Sequence, residues 1–343
     1  MDVLKSLDPG SNLSTNKLQF ILGAWVLSSL VEPKQKVSAV NGHVDEDDYT
    51  KQSIYSLFYS LYRSMGTVRS DRGAEYELTF NTWGYEWPKE WGDNPNEQND
   101  PQIFGQNAYT GLYQFDALKR YIAERDGKVH IVELGCGTGA GAHHICKHIL
   151  KNCTYECVDM QNAAIQTARR KFVPTLGGRL TATCADATNL KIKDNAADII
   201  AVCETHVTEI GGQVTAEDEK FFNSAYRILK PGGFLTWGNA IPDSTWQPCF
   251  DYLKSKGMKQ IEVRDVTKEA VIARDRDAER VDAYVEQCLQ RFHGFRIPML
   301  GGKRRVEAEL AMKNFYRNPG TRLYDDMATG ADTYKVVLFQ KPA

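Results

Sequence analysis

The sequence predicts an α/β fold: a doubly wound, mostly parallel seven-stranded sheet with a helical N-terminal extension and a helical cap inserted before the last strand. Three observations predict it. From about Phe115 onward, short apolar runs rich in Val, Ile, Tyr and Thr alternate with amphipathic stretches. The early runs are apolar on both faces, as strands covered by helices on both sides must be. One of them passes directly into a glycine-crowded turn and then a helical pattern, "VHIVELGCGTGAGAHH", from Val129 to His144.

A chain of 343 residues is long enough for one large α/β domain with additions, or for two modest domains, and so for a sizeable core. A net charge of −2 carries no basic excess to steer the chain onto nucleic acid, and no DNA or RNA partner is expected. The eight cysteines lack C-x-x-C spacing, which points to buried thiols in a reducing compartment rather than to disulfides or a zinc site. No secretory signal pattern opens the sequence, so the expected location is the cytoplasm.

Taken in order, residues 1–114 read as a helical, aromatic-rich extension and lid. Within it, "LQFILGAWVLSSLV" (18–31) is apolar nearly all round but shorter than the roughly 20 residues of a spanning helix. It reads either as a buried helix or as one in peripheral contact with a membrane. Residues 32–48 have the composition of a linker, and Tyr55, Phe58, Tyr59, Tyr62 and Met65 follow at helical spacing. "FNTWGYEWPKEW" (80–91), broken by Gly84 and Pro88, reads as an aromatic loop covering something apolar.

Residues 115–267 form the expected core. Its strands are 129–134, 155–160, 180–186, 197–204, 233–240 and 261–267, with 334–340 completing the sheet. In "DEKFFNSAYRILKPGG" the apolar positions share one helical face, and Pro231-Gly232-Gly233 ends the helix. Residues 268–332 read as a cap of two charged helices, near 275–293 and 303–317, and 333–343 return as the last core strand.

Gly135, Gly137, Gly139 and Gly141 recur at alternate positions after a strand. Such a turn permits close backbone approach to a ligand at a helix start, which fits any nucleotide-like cofactor. Asp159, about twenty residues on, is where a ribose-binding acid is expected, for NAD as well. Glu133 shifts the balance, because an acid two residues before the glycines repels a pyrophosphate but suits an ammonium and a sulfonium. Asp186, ending the third strand, is placed to accept from an adenine amino group.

"VELGCGTG", "VDM", "CADA" and "LKPGG", in that order, resemble the class I S-adenosylmethionine-dependent methyltransferases. The resemblance implies a Rossmann-like core with S-adenosyl-L-methionine as cofactor. It implies that Glu133, Gly135, Cys136, Gly137 and Gly139 back the methionine and ribose, that Asp159 binds the ribose hydroxyls, and that Met160 packs on adenine. Asp186 and Ala187 would read the adenine edge, with Cys203, Tyr113 and Gln114 as further cofactor neighbours.

Outside the cofactor half, "FNTWGYEW", "NAYTGLYQFDAL", "VCETHVTE" and "GFRIPMLGG" are similar to bacterial methyltransferases of lipids and natural products, of the phthiotriol dimycocerosate methyltransferase type. That group places an aromatic loop and a Glu-small-Ser-His loop beside the reaction site. Here the second is Glu204-Thr205-His206, continuing into Val207-Thr208-Glu209 instead of the family's tyrosine-containing run. The expected reaction is O-methylation of a hydrophobic small-molecule acceptor, with His206 as base, Glu204 orienting it, and Trp83, Tyr85 and Trp237 lining the acceptor. One alternative is C-methylation of a sterol-like or prenyl substrate, in which Glu204, Glu209, Trp83 and Tyr85 would face a carbocation. Another is a non-catalytic, cofactor-binding scaffold subunit. No metal cluster is evident at useful spacing, and the sequence leaves room for a homodimer.

Overall fold

In the computed structural model the described residues are 66–205, 212–291, 306 and 309–343. They fall into two compact units: one holds 66–78 with the described part of 277–321, the other the described part of 79–276 with 322–343. The aromatic helix pattern at 55–65, residues 18–31, His206, Glu209 and the "GFRIPMLGG" segment lie outside the described residues.

The smaller unit opens with two short antiparallel strands, β1 (Thr67–Arg69) and β2 (Glu75–Glu77), in a stretch that carries no strand signal in the sequence beyond its alternation. The same unit contains 277–291 and a helical stretch over 309–315. Arg280 is buried there between Asp277, which accepts two hydrogen bonds from its guanidinium (both 2.6 Å), and the Tyr76 hydroxyl at 2.9 Å.

The larger unit begins with the aromatic segment 79–91, irregular except for one 3-10 turn at Lys89–Trp91. Then come α1 (Ile103–Gly111), α2 (Asp116–Ala123), β3 (His130–Leu134), α3 (Ala140–His144), β4 (Thr154–Asp159), α4 (Asn162–Lys171), β5 (Leu180–Cys184) and β6 (Ala197–Cys203). After them follow α5 (Ala216–Ile228), β7 (Leu229–Pro242), α6 (Asp243–Ser255), β8 (Lys259–Asp265), α7 (Thr267–Arg291, whose residues from 277 on belong to the smaller unit), α8 (Arg322–Ala328) and β9 (Asp332–Gln340). The sheet order is β5-β4-β3-β6-β7-β9-β8, parallel except for β9, which is antiparallel to both its neighbours.

Helices cover both faces, as the unbroken burial of β6 requires. On one face Ile131, Tyr155, Cys157, Ala201, Cys203 and Leu338 pack with α1, α2 and α3; on the other Val132, Val158, Val202, Trp237 and Phe339 pack with α5 and α6. This alternation fixes which face each candidate side chain meets. The order in which successive strands join the sheet reverses between β3 and β6, and the carboxyl ends of β3, β4, β5 and β6 line up around that switch point, where open α/β sheets bind ligands.

Helix α7 starts earlier than the charged pattern predicts, because Asp265 Oδ1 accepts from both the Thr267 N–H (2.9 Å) and its hydroxyl (2.6 Å), so the start signal lies at the strand end. Strand β7 likewise extends back through Lys230-Pro231-Gly232-Gly233, with a register irregularity opposite Ala197–Ile199. Among the described residues no helix is long and apolar enough to cross a membrane. All eight cysteines are free thiols, seven of them buried.

Candidate active site

The glycine turn leaves β3 with Gly135, Gly137 and Gly139 all at positive φ (79°, 53° and 79°), a run open to few other residues. The Gly135 and Cys136 N–H groups both donate to the Val158 carbonyl (2.8 and 3.0 Å), and Gly137 N–H donates to Asp159 Oδ2 at 2.8 Å. Asp159 Oδ1 accepts the Gln161 N–H at 2.7 Å. A carboxylate has about four acceptor positions, so Asp159 ties the turn to β4 and keeps lone pairs for a diol. Burial pushes its pKa up, partly offset by these two N–H groups.

The glycines also serve protein packing. A Cβ on Gly135 would stand 2.0 Å from Thr205 Cγ2, and one on Gly141 would stand 2.0 Å from Tyr109 Cε1. Thr205 donates its hydroxyl to the Gly135 carbonyl at 3.0 Å, so the first residue after Glu204 rests on the glycine turn.

Glu133 lies on the sheet face shared by Cys157, Cys203 and Tyr109 and is fully buried. Burial lifts its carboxyl to about 7, though the Tyr109 and Tyr155 hydroxyls are near enough to moderate the rise. Neither Glu133 oxygen has a hydrogen-bond partner among the described residues. An acid so placed costs stability when ionised and is matched by a cation brought from outside. With the open-edged Asp159, and Met160 half exposed (48%) beside it, these groups fit an aminoacyl nucleoside. Asp186 is exposed, its Oδ1 held by the Thr188 N–H and hydroxyl (both 2.8 Å), and Ala187 is half-buried next to it.

Other candidates are placed differently. Tyr113 is buried with its hydroxyl 3.3 Å from that of Tyr155, and Gln114 reaches back to the Thr110 carbonyl (3.4 Å). Cys136 and Cys203 are buried, which pushes both thiols well above their ordinary range and keeps them neutral. Trp237, expected beside the acceptor, belongs instead to the core on the opposite sheet face, between Phe222 and Trp246 with ring centroids at 5.5 and 4.6 Å. Tyr85, also expected there, is fully buried edge-on to Trp91 and Tyr334, its hydroxyl so close to α1 that a Cβ on Gly111 would stand 1.8 Å from it.

Glu204 differs most from the expected role. Its Oε2 accepts the Trp83 N–H at 2.7 Å, and its Oε1 accepts the Gly84 N–H at 2.9 Å and the Tyr334 hydroxyl at 2.8 Å. Its side chain therefore fastens the aromatic segment to the end of β6. The sequence contains no local signal for these contacts, since the partners lie 120 to 130 positions away. His143 and His144, just inside the helix after the glycines, read in the sequence as packing or cofactor-side residues; His144 is buried, its Nε2 3.0 Å from Asn96 Oδ1 and 3.1 Å from the Thr110 hydroxyl, and burial and its neighbours His148 and His143 lower its pKa to about 4. Among the described residues no group of three or more His, Cys, Asp or Glu side chains could hold a metal ion.

The sheet order, the glycine turn at the switch point and the buried acid beneath it fit a class I S-adenosylmethionine-dependent methyltransferase, and similarity to known proteins supports that class of enzyme, with S-adenosyl-L-methionine as its cofactor. Residues 131–233 match the family described as "Methyltransferase domain". Over 271 residues the chain is 22% identical to the phthiotriol/phenolphthiotriol dimycocerosates methyltransferase of Mycobacterium tuberculosis, covering 77% of this chain and 86% of that one. Among solved structures, that of the [4+2]-cyclase SpnF aligns with a TM-score of 0.55 at 16% identity, covering 85% of this chain and 96% of the other. Geranyl diphosphate methyltransferase in complex with GPP and sinefungin aligns at 0.51 and 12% identity, covering 84% and 98%. At such identities the structural likeness speaks for the fold alone.

Proposed function

We propose that this chain transfers a methyl group from S-adenosylmethionine to an oxygen of an apolar small molecule or lipid, with His206 accepting the proton. The observation that carries this reading is the seating of Thr205 on the Gly135 carbonyl. The chain enters His206 directly from a residue in contact with the cofactor turn, at the carboxyl edge of β6. The mycobacterial relative is named for phthiotriol and phenolphthiotriol dimycocerosates, which supports an apolar acceptor.

Bound cofactor supplies an electrophilic methyl group on a sulfonium. The protein's part would begin with Glu133, an acid suited to the cofactor's cationic end, and Asp159, which keeps acceptor positions for the ribose hydroxyls. An alcohol is a weak nucleophile, so His206 would take its proton as the new C–O bond forms and the S–CH3 bond breaks in line with it, the thioether of S-adenosylhomocysteine being the leaving group. Glu204 has its oxygens engaged by Trp83, Gly84 and Tyr334.

The test is transfer of a labelled methyl group to a panel of long-chain secondary alcohols and phenols, each paired with its O-blocked analogue, with products identified as ethers by mass spectrometry. His206→Ala is expected to lower turnover by about 10²–10⁴-fold with S-adenosylhomocysteine affinity unchanged. Label on carbon, or an unaffected variant, would refute the reading.

A further inference from the structure

The Trp83–Gly84 peptide is held from several directions by elements distant in the chain. Its nitrogen side is fixed by Glu204, through the Trp83 N–H and the Gly84 N–H. The Trp83 carbonyl accepts a hydrogen bond from the guanidinium of Arg274, which stands on α7 and is itself buried. Tyr334, on β9, donates its hydroxyl to Glu204 Oε1. Gly84 sits at φ +65°, with the Phe104 carbonyl oxygen 1.9 Å from where a Cβ would be, so the peptide is pressed against the start of α1.

Glu204 meets this peptide from a left-handed backbone, φ +47°, while its own N–H donates to the Gly238 carbonyl at 2.7 Å. A left-handed residue other than glycine costs about 1–2 kcal/mol, and such outliers persist where the surroundings over-determine them. The outcome of all these bonds is one fixed position for Trp83, whose ring is only partly buried against the core while Tyr85 behind it is sealed.

We propose that Tyr334 and Arg274, acting through Glu204 and the Trp83 carbonyl, are positioning residues for the methyl acceptor, holding the Trp83 indole as the acceptor-facing wall at the carboxyl edge of β6. The inference rests on the reading that an apolar acceptor binds at that edge. It differs from a purely structural role in one respect: Glu204 holds both N–H groups and the Tyr334 hydroxyl by charge-assisted bonds only while ionised. A protonated carboxyl can keep the N–H groups only as weaker, neutral bonds and only if the Tyr334 hydroxyl turns to accept, so the hold on the peptide loosens. Facing Glu204 are the Arg274 guanidinium on α7, the phenols of Tyr85 and Tyr334, and the Cys203 thiol preceding it on β6. Burial keeps the phenols and the thiol neutral, leaving Arg274 as the charge among these that supports ionised Glu204.

The experiment compares wild type with Tyr334→Phe and Arg274→Gln, using an alcohol that the wild type methylates. Steady-state kinetics across pH are combined with S-adenosylhomocysteine titrations and hydrogen exchange of the peptide covering 79–91. Losing one hydrogen bond to a charged group is expected to raise the acceptor KM about tenfold or more in Tyr334→Phe, with kcat less affected and S-adenosylhomocysteine affinity unchanged. The acid limb of kcat/KM is expected to move upward by about one pH unit, because ionised Glu204 has lost a donor. Exchange at 79–91 should quicken in both variants. Wild-type turnover combined with an unmoved KM and acid limb in Tyr334→Phe overturns the inference alone. A wild type that methylates no apolar alcohol overturns the functional reading, and the inference with it.

Discussion

With Glu133 proposed to meet the cofactor's cationic end, cofactor binding should release a proton. Its carboxyl is fully buried, has no hydrogen-bond partner among the described residues and titrates near 7, against an ordinary value of 4.5. An ammonium brought beside it by the cofactor restores a value near the ordinary one. At pH 6 the free protein then carries about 0.9 proton on this group and the complex almost none, so S-adenosylhomocysteine binding should release about 0.9 proton. The ligand's own amine, with an α-amino pKa of about 8, is already protonated at that pH and contributes little. Calorimetric titration at pH 6 in two buffers of different ionisation enthalpy measures the number directly, and Glu133→Gln should bring it close to zero. The same group works against the cofactor-free protein: its pKa is raised on folding, so stability is complete below pH 4.5 and is lost as pH rises through 7, by about 3 kcal/mol in all. Glu133→Gln should therefore melt higher than wild type at pH 8 while binding the ligand more weakly. A wild type that releases no proton at pH 6, or a variant that releases as much, would refute this account.

Further consequences follow from the same geometry. His144 is neutral in the folded protein, with a pKa lowered to about 4, so the unfolded chain binds the extra proton between pH 6.5 and 4. Stability present above 6.5 should decline by about 3 kcal/mol across that window, and urea unfolding of His144→Gln, which can still donate to Asn96, should show a shallower decline. Gly141→Ala drives a methyl into Tyr109, with 2.0 Å to the nearest ring carbon; overpacking of this kind costs about 1–3 kcal/mol, visible as a lower melting temperature. Asp159→Asn leaves one acceptor oxygen for the Gly137 and Gln161 N–H groups and the ribose together. S-adenosylhomocysteine affinity measured by calorimetry should fall by about 10–100-fold, with circular dichroism unchanged.

The cofactor half was legible because its signals are local. A strand, three positive-φ glycines and an acid at the next strand end fall within thirty residues, and each residue type is dictated by backbone geometry or charge. The acceptor half depends on contacts that no window of sequence contains. Glu204 reads as a partner for His206 when viewed beside it, yet its hydrogen bonds run to Trp83, Gly84 and Tyr334. Trp237 was misplaced for a different reason: in "GFLTWGNA" both faces of the strand are buried, so the alternation that assigns a side to each residue is invisible until the register with Val202 is known. The hairpin at 67–77 is short and mostly exposed, and gave no apolar run to find.

Two glutamates, Glu133 fully buried and Glu204 half-buried, stand at the carboxyl ends of adjacent strands, and their bonding states separate their roles. Both have pKa values raised by burial, so a perturbed titration alone would mark them equally as functional. Glu204 has partners for both oxygens within the fold, two of them backbone N–H groups of a distant loop, so its ionised form is already compensated and its work is to hold that loop. Glu133 has none among the described residues, so its ionised form is disfavoured and below pH 7 it is held mostly as the acid until a cation arrives. An uncompensated group implies a ligand, and a compensated one implies architecture. On that criterion removing Glu133 should strike cofactor affinity and spare the loop, whereas weakening the bonds to Glu204 should loosen the loop and spare the cofactor.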